Sequence, residues 1–170
     1  MSKTLVKRFS LGNISELTVP STTQAYPLGM RIQIEDDTER AIKEFVYVKA
    51  HDALTAYVPL ILTYGSTSGS EVTTAATAKL STYQRIVVPQ VAFTSSSYYG
   101  FVQVKGDATI TISSGNAVAG QVCQAYDDTC VDEGAATLTT YSFGMFTAAR
   151  TGAGDVAIYL FDRMVVIDGA

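Results

Sequence analysis

The sequence predicts an all-β protein, a small β-barrel or β-tulip/sandwich of antiparallel strands with long loops. Three observations lead to this prediction. Apolar and polar residues alternate with period two along most of the 170 residues, as they do in half-buried strands. Gly, Pro, Asn and Asp separate these runs at short spacing. Stretches with helical spacing are nearly absent, and successive short strands joined by turns are typical of sandwiches and barrels.

The first pair of predicted strands covers residues 30–35 and 44–50. "MRIQIE" places Met30, Ile32 and Ile34 on one face, and "KEFVYVKA" continues the alternation after a charged connection. Four of the first five residues of "EDDTERAIKEF" are acidic, but basic residues follow at once. We therefore expect a solvated turn here, although "DDTERAIKEF" also contains residues that favour a helix.

The middle of the chain contains two runs interrupted by proline, "TAYVPLILTY" and "QRIVVPQVAF". Pro59 and Pro89 indicate an edge, a bend or a bulge in these strands, because proline cannot donate to the ladder. Between them, residues 66–82 are mostly Ser, Thr and Ala. This composition predicts a long surface loop, which is typical of an insertion or of a segment that a partner orders.

The last part of the chain predicts four more β segments. "SYYGFVQVKGDATITIS" has the pattern of a hairpin, with Gly106-Asp107 as its turn. "AGQVCQAY", "YSFGMFTAAR" and "DVAIYLFDRMVVI" follow, separated by Gly or Asp clusters. No internal repeat is present.

The charge balance weighs against several classes of partner. The net charge is −4, from 12 Lys and Arg against 16 Asp and Glu, whereas a nucleic-acid-binding protein needs a basic surface. No stretch reaches the roughly 20 apolar residues of a membrane-spanning helix. "MSKTLVKRFSLGN" lacks the apolar centre of a signal peptide. We expect no nucleic-acid or membrane partner, and synthesis in a cytoplasm.

The residues with catalytic or metal-binding chemistry do not form a recognisable site. The acidic stretch has Ala41 where a calcium loop counted from Asp36 needs Gly, which leaves at most a weak cation site. His51 is the single histidine, and no G-x-S-x-G nucleophile motif accompanies it. One histidine and two cysteines make a poor zinc site. The sequence predicts no enzyme, no catalytic residue, no metal site and no cofactor.

Cys123 and Cys130 flank "QAYDDT". If Asp127 and Asp128 form a hairpin tip, the two thiols lie opposite or nearly opposite each other across the ladder. A spacing of seven residues does not fit a thioredoxin or zinc-knuckle motif, and both thiols are expected to stay free in a reducing cytoplasm.

Small, aromatic and turn residues recur at particular positions of three long stretches. The first is "YPLGMRIQIEDDTERAIKEFVYVKA", the second is "YYGFVQVKGDATITISSGNAVAGQVC", and the third is "FGMFTAARTGAGDVAIYLFDR". Over residues 26–163 the chain thereby resembles the head decoration (cement) proteins of tailed bacteriophages. The positions that carry the resemblance are Leu28, Gly29, Arg31, Phe45, Tyr47, Lys49, Ala50, Tyr99, Phe101, Gln103, Gly106, Ala108, Gly120, Gly144, Ala148 and Val156.

The resemblance implies a small β-barrel or β-tulip that binds the outside of an assembled major capsid shell, often as an oligomer, with no catalytic residues. The chain would then stabilise the head, with the exterior of the virion as its location and a trimer as the first choice of oligomer. Residues 26–170 would form a single β domain, and residues 1–25 an N-terminal arm or an edge strand. Alternatives are another virion component, such as a tail-tube or spike domain, and a glycan-binding module that uses some of the ten Tyr residues.

Two sets of residues are candidates for contacts with partners. Tyr98, Tyr99 and Phe101 are candidate subunit contacts, because adjacent aromatic positions of one strand cannot all face one core. Four residues of the arm are candidate contacts with the capsid or a neighbouring subunit, since they combine basic and apolar character in an otherwise acidic protein. These residues are Lys3, Lys7, Arg8 and Phe9.

Overall fold

The computed structural model describes residues 17, 19–36, 41–66, 69–74, 85–112, 115–126, 129–132 and 142–165. These residues form β-strands, turns and loops, with no α-helix among them, so the predicted all-β class is confirmed. The strands are β1 (Arg31–Asp36), β2 (Ala41–Ala50), β3 (Leu60–Ser66), β4 (Gly69–Thr74), β5 (Arg85–Val87), β6 (Tyr99–Ile112), β7 (Asn116–Ala117), β8 (Val122–Tyr126), β9 (Thr129–Asp132), β10 (Ser142–Phe146), β11 (Arg150–Thr151) and β12 (Gly154–Val165).

The strands form a sandwich-like arrangement and do not close into a barrel. The larger sheet runs in the order β12-β10-β8-β9-β6-β2-β4-β3-β5, with β1 on β2 and a direct pairing of β12 with β6. Strands β7 and β11 form a separate small ladder. All pairings are antiparallel except the short contacts of β2 with β4 and of β6 with β9.

The long strand β6 connects the two parts of this architecture. Its first half, up to Lys105, pairs with β2, and its second half, from Gly106, pairs with β12. The predicted hairpin turn at Gly106-Asp107 is therefore wrong, since the strand continues through both residues. Gly106 instead takes a left-handed conformation with φ of 91° at the point where the ladder partner changes.

The β1–β2 hairpin confirms the first predicted strand pair. The ladder runs from the pair Arg31↔Val46 to the pair Asp36↔Ala41, so a four-residue connection, residues 37–40, joins the strands. The helical alternative is wrong for residues 41–45, which belong to β2. The predicted surface loop at 66–82 is wrong in part, because residues 69–74 form β4, which pairs with β3 and β2.

The strands bury their apolar faces in three clusters. The largest lies between the β8–β10–β12 region and one face of β3 and β5, with Ile61, Ile110, Phe146 and Ile158 at its centre. The second packs the other face of β3 against β2 and β6. Strand β3 is thus buried on both faces, and each fully buried aliphatic side chain contributes about 1.5–3 kcal/mol. The third cluster, on the opposite face of β2 and β6, is aromatic.

Candidate functional site

The aromatic cluster is built by alternate residues of two neighbouring strands. Tyr47 of β2 and Phe101 of β6 are cross-strand partners and are almost completely buried. Their ring centroids lie 5.0 Å apart, and Tyr26 contacts both rings at 5.3 and 5.5 Å. Tyr99 stacks on Tyr47 at 6.5 Å. These separations suit aromatic pairs, which add about 0.5–1.5 kcal/mol each beyond their burial.

The chain segment before β1 covers this cluster. Ser21 and Tyr99 exchange two backbone hydrogen bonds of 2.9 and 2.7 Å. The backbone N–H of Ala25 donates to the Tyr47 hydroxyl at 2.9 Å, and Leu17 is buried against the rings. Residues 17–25 are therefore attached to the sheet over the described part of the chain. Residues 1–16 lie outside the described residues, and the predicted domain division at residue 25 stays a prediction.

A groove with a volume of about 590 Å³ opens beside the aromatic cluster. Its apolar lining comes from Leu17, Ile34, Phe45, Val91, Phe101, Ala108 and Ala157. Its polar lining comes from Lys43, Gln90, Gln103, Asp107, Thr109 and Thr147. The groove thus lies where the pairing partner of β6 changes from β2 to β12. The β2–β6 and β6–β12 ladders diverge at this point, and the space between them forms the groove.

Two glutamines fix the backbone of β6 along this groove. Gln103 is buried, and its Nε2 donates to the carbonyl oxygens of Lys105 at 3.1 Å and Asp107 at 2.8 Å. Gln90 uses its side-chain amide as a neighbouring strand would: its Oε1 accepts from the Thr109 N–H, and its Nε2 donates to the Thr109 carbonyl. Hydrogen bonds from these two side chains therefore hold the backbone of β6 in place along the groove.

Among the described residues that line the groove, Asp107 is the acidic one. It is half-buried, and within the ranges that the structure describes it makes no hydrogen bond or ion pair. Lys43 lines the same groove. A ligand that brings an apolar surface together with a positive charge near Asp107 would match this lining.

The three candidate subunit contacts lie on two different faces of the molecule. Tyr99 and Phe101 belong to the aromatic cluster, whereas Tyr98 packs against the cluster between β2, β3 and β6. The expectation that these rings cannot share one core therefore agrees with their placement. Phe101 is only 5% exposed within its own chain, and Tyr98 and Tyr99 are half-buried. Contact with a second subunit stays a prediction.

Among the described residues of the acidic stretch, Glu44 has a clear structural role. Glu44 of β2 is buried and accepts a hydrogen bond from Arg31 Nη1 at 3.0 Å, while Gln33 Nε2 lies 3.4 Å from its other oxygen. Both partners lie on β1, so the group holds the two strands together. His51 lies in an exposed bend, with Asp52 Oδ2 at 3.1 Å from Nδ1. Among the described residues no group of three metal-binding side chains occurs.

The remaining candidate residues are placed only in part. Strands β8 and β9 are antiparallel neighbours up to the pair Tyr126↔Thr129, and residues 127–128 lie outside the described residues. The side chain of Cys123 is completely buried. The register pairs Cys130 with Ala125, two positions from Cys123, and the thiol pair stays a prediction. Lys3, Lys7, Arg8 and Phe9 lie outside the described residues. Over the ranges described, no helix is long and apolar enough to cross a membrane.

The fold is similar to a solved structure of a phage head component. The structure is described as "The crystal structure of head fiber gp8.5 N base in bacteriophage phi29", and the similarity has a TM-score of 0.50 with 15% sequence identity. It covers 71% of this chain and 96% of that chain. At such low identity the similarity establishes a common fold and nothing finer. No protein-family model and no curated protein sequence matches the chain.

The sequence did not predict that the residues lining the groove come together in the fold. Its residues come from separate segments, from Leu17 to Ala157, and no local spacing relates them. Gln90 in particular follows Pro89 in a stretch whose only sequence signal is the proline. The register of β6 with β2 and β12, which brings these segments together, is a property of the folded sheet.

Proposed function

We propose that this protein is a structural component of a tailed-phage head, and that it binds the outer surface of the assembled major capsid shell and stabilises it. The role is binding without a catalytic step. The observation that supports it most directly is the fold shared with the base of a phage head fibre, which extends over nearly all of that chain. The resemblance of residues 26–163 to head decoration proteins supports it independently.

The residues that carry the resemblance occupy structural positions in this fold. Gly29 donates its N–H to the Tyr47 carbonyl, which ties the segment before β1 to the aromatic strand. Gly106 allows the change of partner along β6, and Gly144 of β10 lies so close to β12 that a Cβ would meet Ile158 at 2.5 Å. The pattern therefore describes a scaffold, as expected for a family related by architecture and not by a catalytic site.

A protein with this role can bind the shell through several equivalent contacts at once. A protein that binds the assembled shell, and not free capsid subunits, stabilises the shell by mass action. A trimer at a three-fold position of the shell would make three equivalent contacts at once, so weak single contacts would combine into a stable attachment. The low charge and the exposed apolar side chains Ile42 and Met145 are compatible with contacts to other subunits.

The test is the thermal stability of purified heads with and without this protein. Heads that lack it should open at a lower temperature than decorated heads, and adding back the purified protein should restore the difference. Co-sedimentation should show binding to assembled shells and not to unassembled capsid protein. A monomer that does not sediment with heads and leaves their melting unchanged would contradict the proposal.

The packing of the three tyrosines in the aromatic cluster argues against their use in the glycan-binding alternative. Tyr47 is 3% exposed, and Tyr26 and Tyr99 pack against it, so these rings do not form an open platform for sugar rings. A glycan array with the same preparation would identify the alternative if head binding fails.

A further inference from the structure

The groove beside the aromatic cluster contains the half-buried carboxylate of Asp107, which no side chain of the described residues neutralises. We propose that this groove is the surface that contacts the capsid shell, and that it binds an arginine side chain carried by an apolar segment of the shell protein. The inference rests on the proposed function, because it names the contact surface and the chemistry of the partner for that role.

Asp107 lies on the outer face of the sheet, where β6 begins to pair with β12. The register pairs it directly with Tyr159, so the two side chains leave the same face with Cβ atoms about 4.5–5.5 Å apart. Both residues are half-buried. The Asp107 carbonyl oxygen accepts a hydrogen bond from Gln103 Nε2 at 2.8 Å, which fixes the backbone that carries the carboxylate. Within the described ranges the carboxylate thus has a fixed attachment and no partner of its own.

A half-buried carboxylate beside an aromatic ring is suited to a cation. A nearby positive charge stabilises the ionised carboxylate, and a cation is also attracted to the face of a tyrosine ring. Arginine combines the two contacts better than lysine, because its planar guanidinium binds a carboxylate through two parallel hydrogen bonds and stacks on aromatic rings. Lys43 also lines the groove, but it has an interaction elsewhere and does not pair with Asp107.

The apolar part of the lining indicates what carries the arginine. Phe45 and Val91 are half-buried at the groove, and Ala157 is exposed there. The volume of about 590 Å³ lies within the usual range of binding pockets, about 300–1,000 Å³, and is enough for a few side chains. In an extended segment alternate side chains share one face, so an arginine and an apolar neighbour two positions away can enter the groove together.

The surface next to the groove is suited to contact with a protein. Met145 of β10 is 36% exposed and pairs with Tyr159 on the side opposite Asp107. Phe161 is half-buried, with its ring centroid 6.5 Å from that of Tyr159. Aromatic residues and methionine are enriched at the centres of protein interfaces. The net charge of −4 also favours the approach of a basic partner.

Binding of variants to purified heads that lack this protein tests the contact surface. Asp107→Asn keeps the shape of the side chain and removes its charge, so it should weaken binding by about tenfold or more. Ala157→Lys fills the groove and adds a like charge, so it should abolish binding. The matched control Asp52→Asn removes one acidic charge at an exposed position outside the groove and should leave binding unchanged. Circular dichroism melting establishes that each variant is folded.

A peptide probe tests the arginine without the shell. In an NMR titration, acetyl-Leu-Arg-Leu-amide should shift the side-chain amide signals of Gln90 and Gln103, which both line the groove. The same peptide with citrulline in place of arginine has nearly the same shape but no charge, and it should bind about tenfold more weakly. The variant Asp107→Asn should not distinguish the two peptides, because the carboxylate that recognises the charge is absent.

The two measurements separate a failure of this inference from a failure of the proposed function. If heads bind the natural chain and Asp107→Asn equally well, the contact surface lies elsewhere and the proposed function stands. If the arginine and citrulline peptides bind the natural chain equally, or neither shifts the amide signals at millimolar concentration, the assignment of arginine is wrong. If the natural chain does not bind heads at all, the proposed function fails and this inference fails with it.

Discussion

Gly106 and Gly120 have almost the same left-handed backbone conformation, with φ of 91° and 87°. Their surroundings differ. A Cβ at position 106 would lie 2.5 Å from the carbonyl oxygen of Ile42, whereas a Cβ at position 120 would meet nothing within 4 Å. Alanine substitutions at these two positions therefore separate the cost of a left-handed backbone from the cost of a steric clash.

We expect Gly120→Ala to lower the free energy of unfolding by about 1–2 kcal/mol, which is the cost of a left-handed alanine. Gly106→Ala should cost about 3 kcal/mol or more, because the clash is with backbone of β2 that cannot move without disturbing its ladder. Urea unfolding of both variants measures the difference. Equal losses would mean that β6 and β2 separate easily at this point.

At the scale of elements, Asp36 and Asp37 test whether the acidic stretch has a role beyond solvation. Asp36 ends β1 and Asp37 begins the connection to β2. The double change of Asp36 and Asp37 to Asn should alter the free energy of unfolding by no more than about 0.5 kcal/mol, as at ordinary surface positions. Thermal melting with added calcium is the check, and a melting temperature that rises steeply with calcium only in the unaltered chain would establish a cation site.

The β8–β9 ladder makes a prediction about disulfide formation. Directly opposite residues of an antiparallel pair have Cα atoms about 4.5–5.5 Å apart, inside the range of disulfides, whereas diagonal neighbours are about 7–8 Å apart. Cys130 is opposite Ala125, and Cys123 is opposite Asp132. Mild oxidation of the variant Ala125→Cys should therefore join positions 125 and 130 much faster than it joins Cys123 and Cys130 in the natural chain. Mass spectrometry of the oxidised proteins measures both products, and equal rates would indicate a different register.

The elements that depend on local signals were predictable from the sequence. The alternation in residues 30–35 and 44–50 located β1 and β2 to within three residues. The prediction of a hairpin turn at Gly106-Asp107 was wrong because a glycine between two alternating runs is compatible with a hairpin and with a bulged continuous strand. The long-range pairing of β6 with β2 on one side of Gly106 and with β12 on the other decides between them. The groove could not be predicted from the sequence either, because it also depends on these long-range strand pairings.

At the scale of the whole molecule, the question is how much of the N-terminal region the sandwich needs. The described contacts begin at Leu17 and continue through the Ser21–Tyr99 backbone pair and the hydrogen bond from Ala25 to Tyr47. A deletion of residues 1–12 spares all of these contacts. A deletion of residues 1–25 removes them and uncovers the aromatic cluster.

Deleting residues 1–12 should leave a folded, soluble protein whose unfolding free energy falls by no more than about 2 kcal/mol, because the described contacts that attach the N-terminal region to the sheet begin at Leu17. Deleting residues 1–25 should cost about 3–5 kcal/mol, from the lost burial of Leu17 and the unpaired groups of Tyr99 and Tyr47. Chemical unfolding of the two truncated proteins measures both values. If the shorter deletion already unfolds the protein, residues 1–12 belong to the sheet as an edge strand. If it stays folded but no longer binds heads or loses its oligomeric state, the arm carries those contacts, as Lys3, Lys7, Arg8 and Phe9 led us to expect.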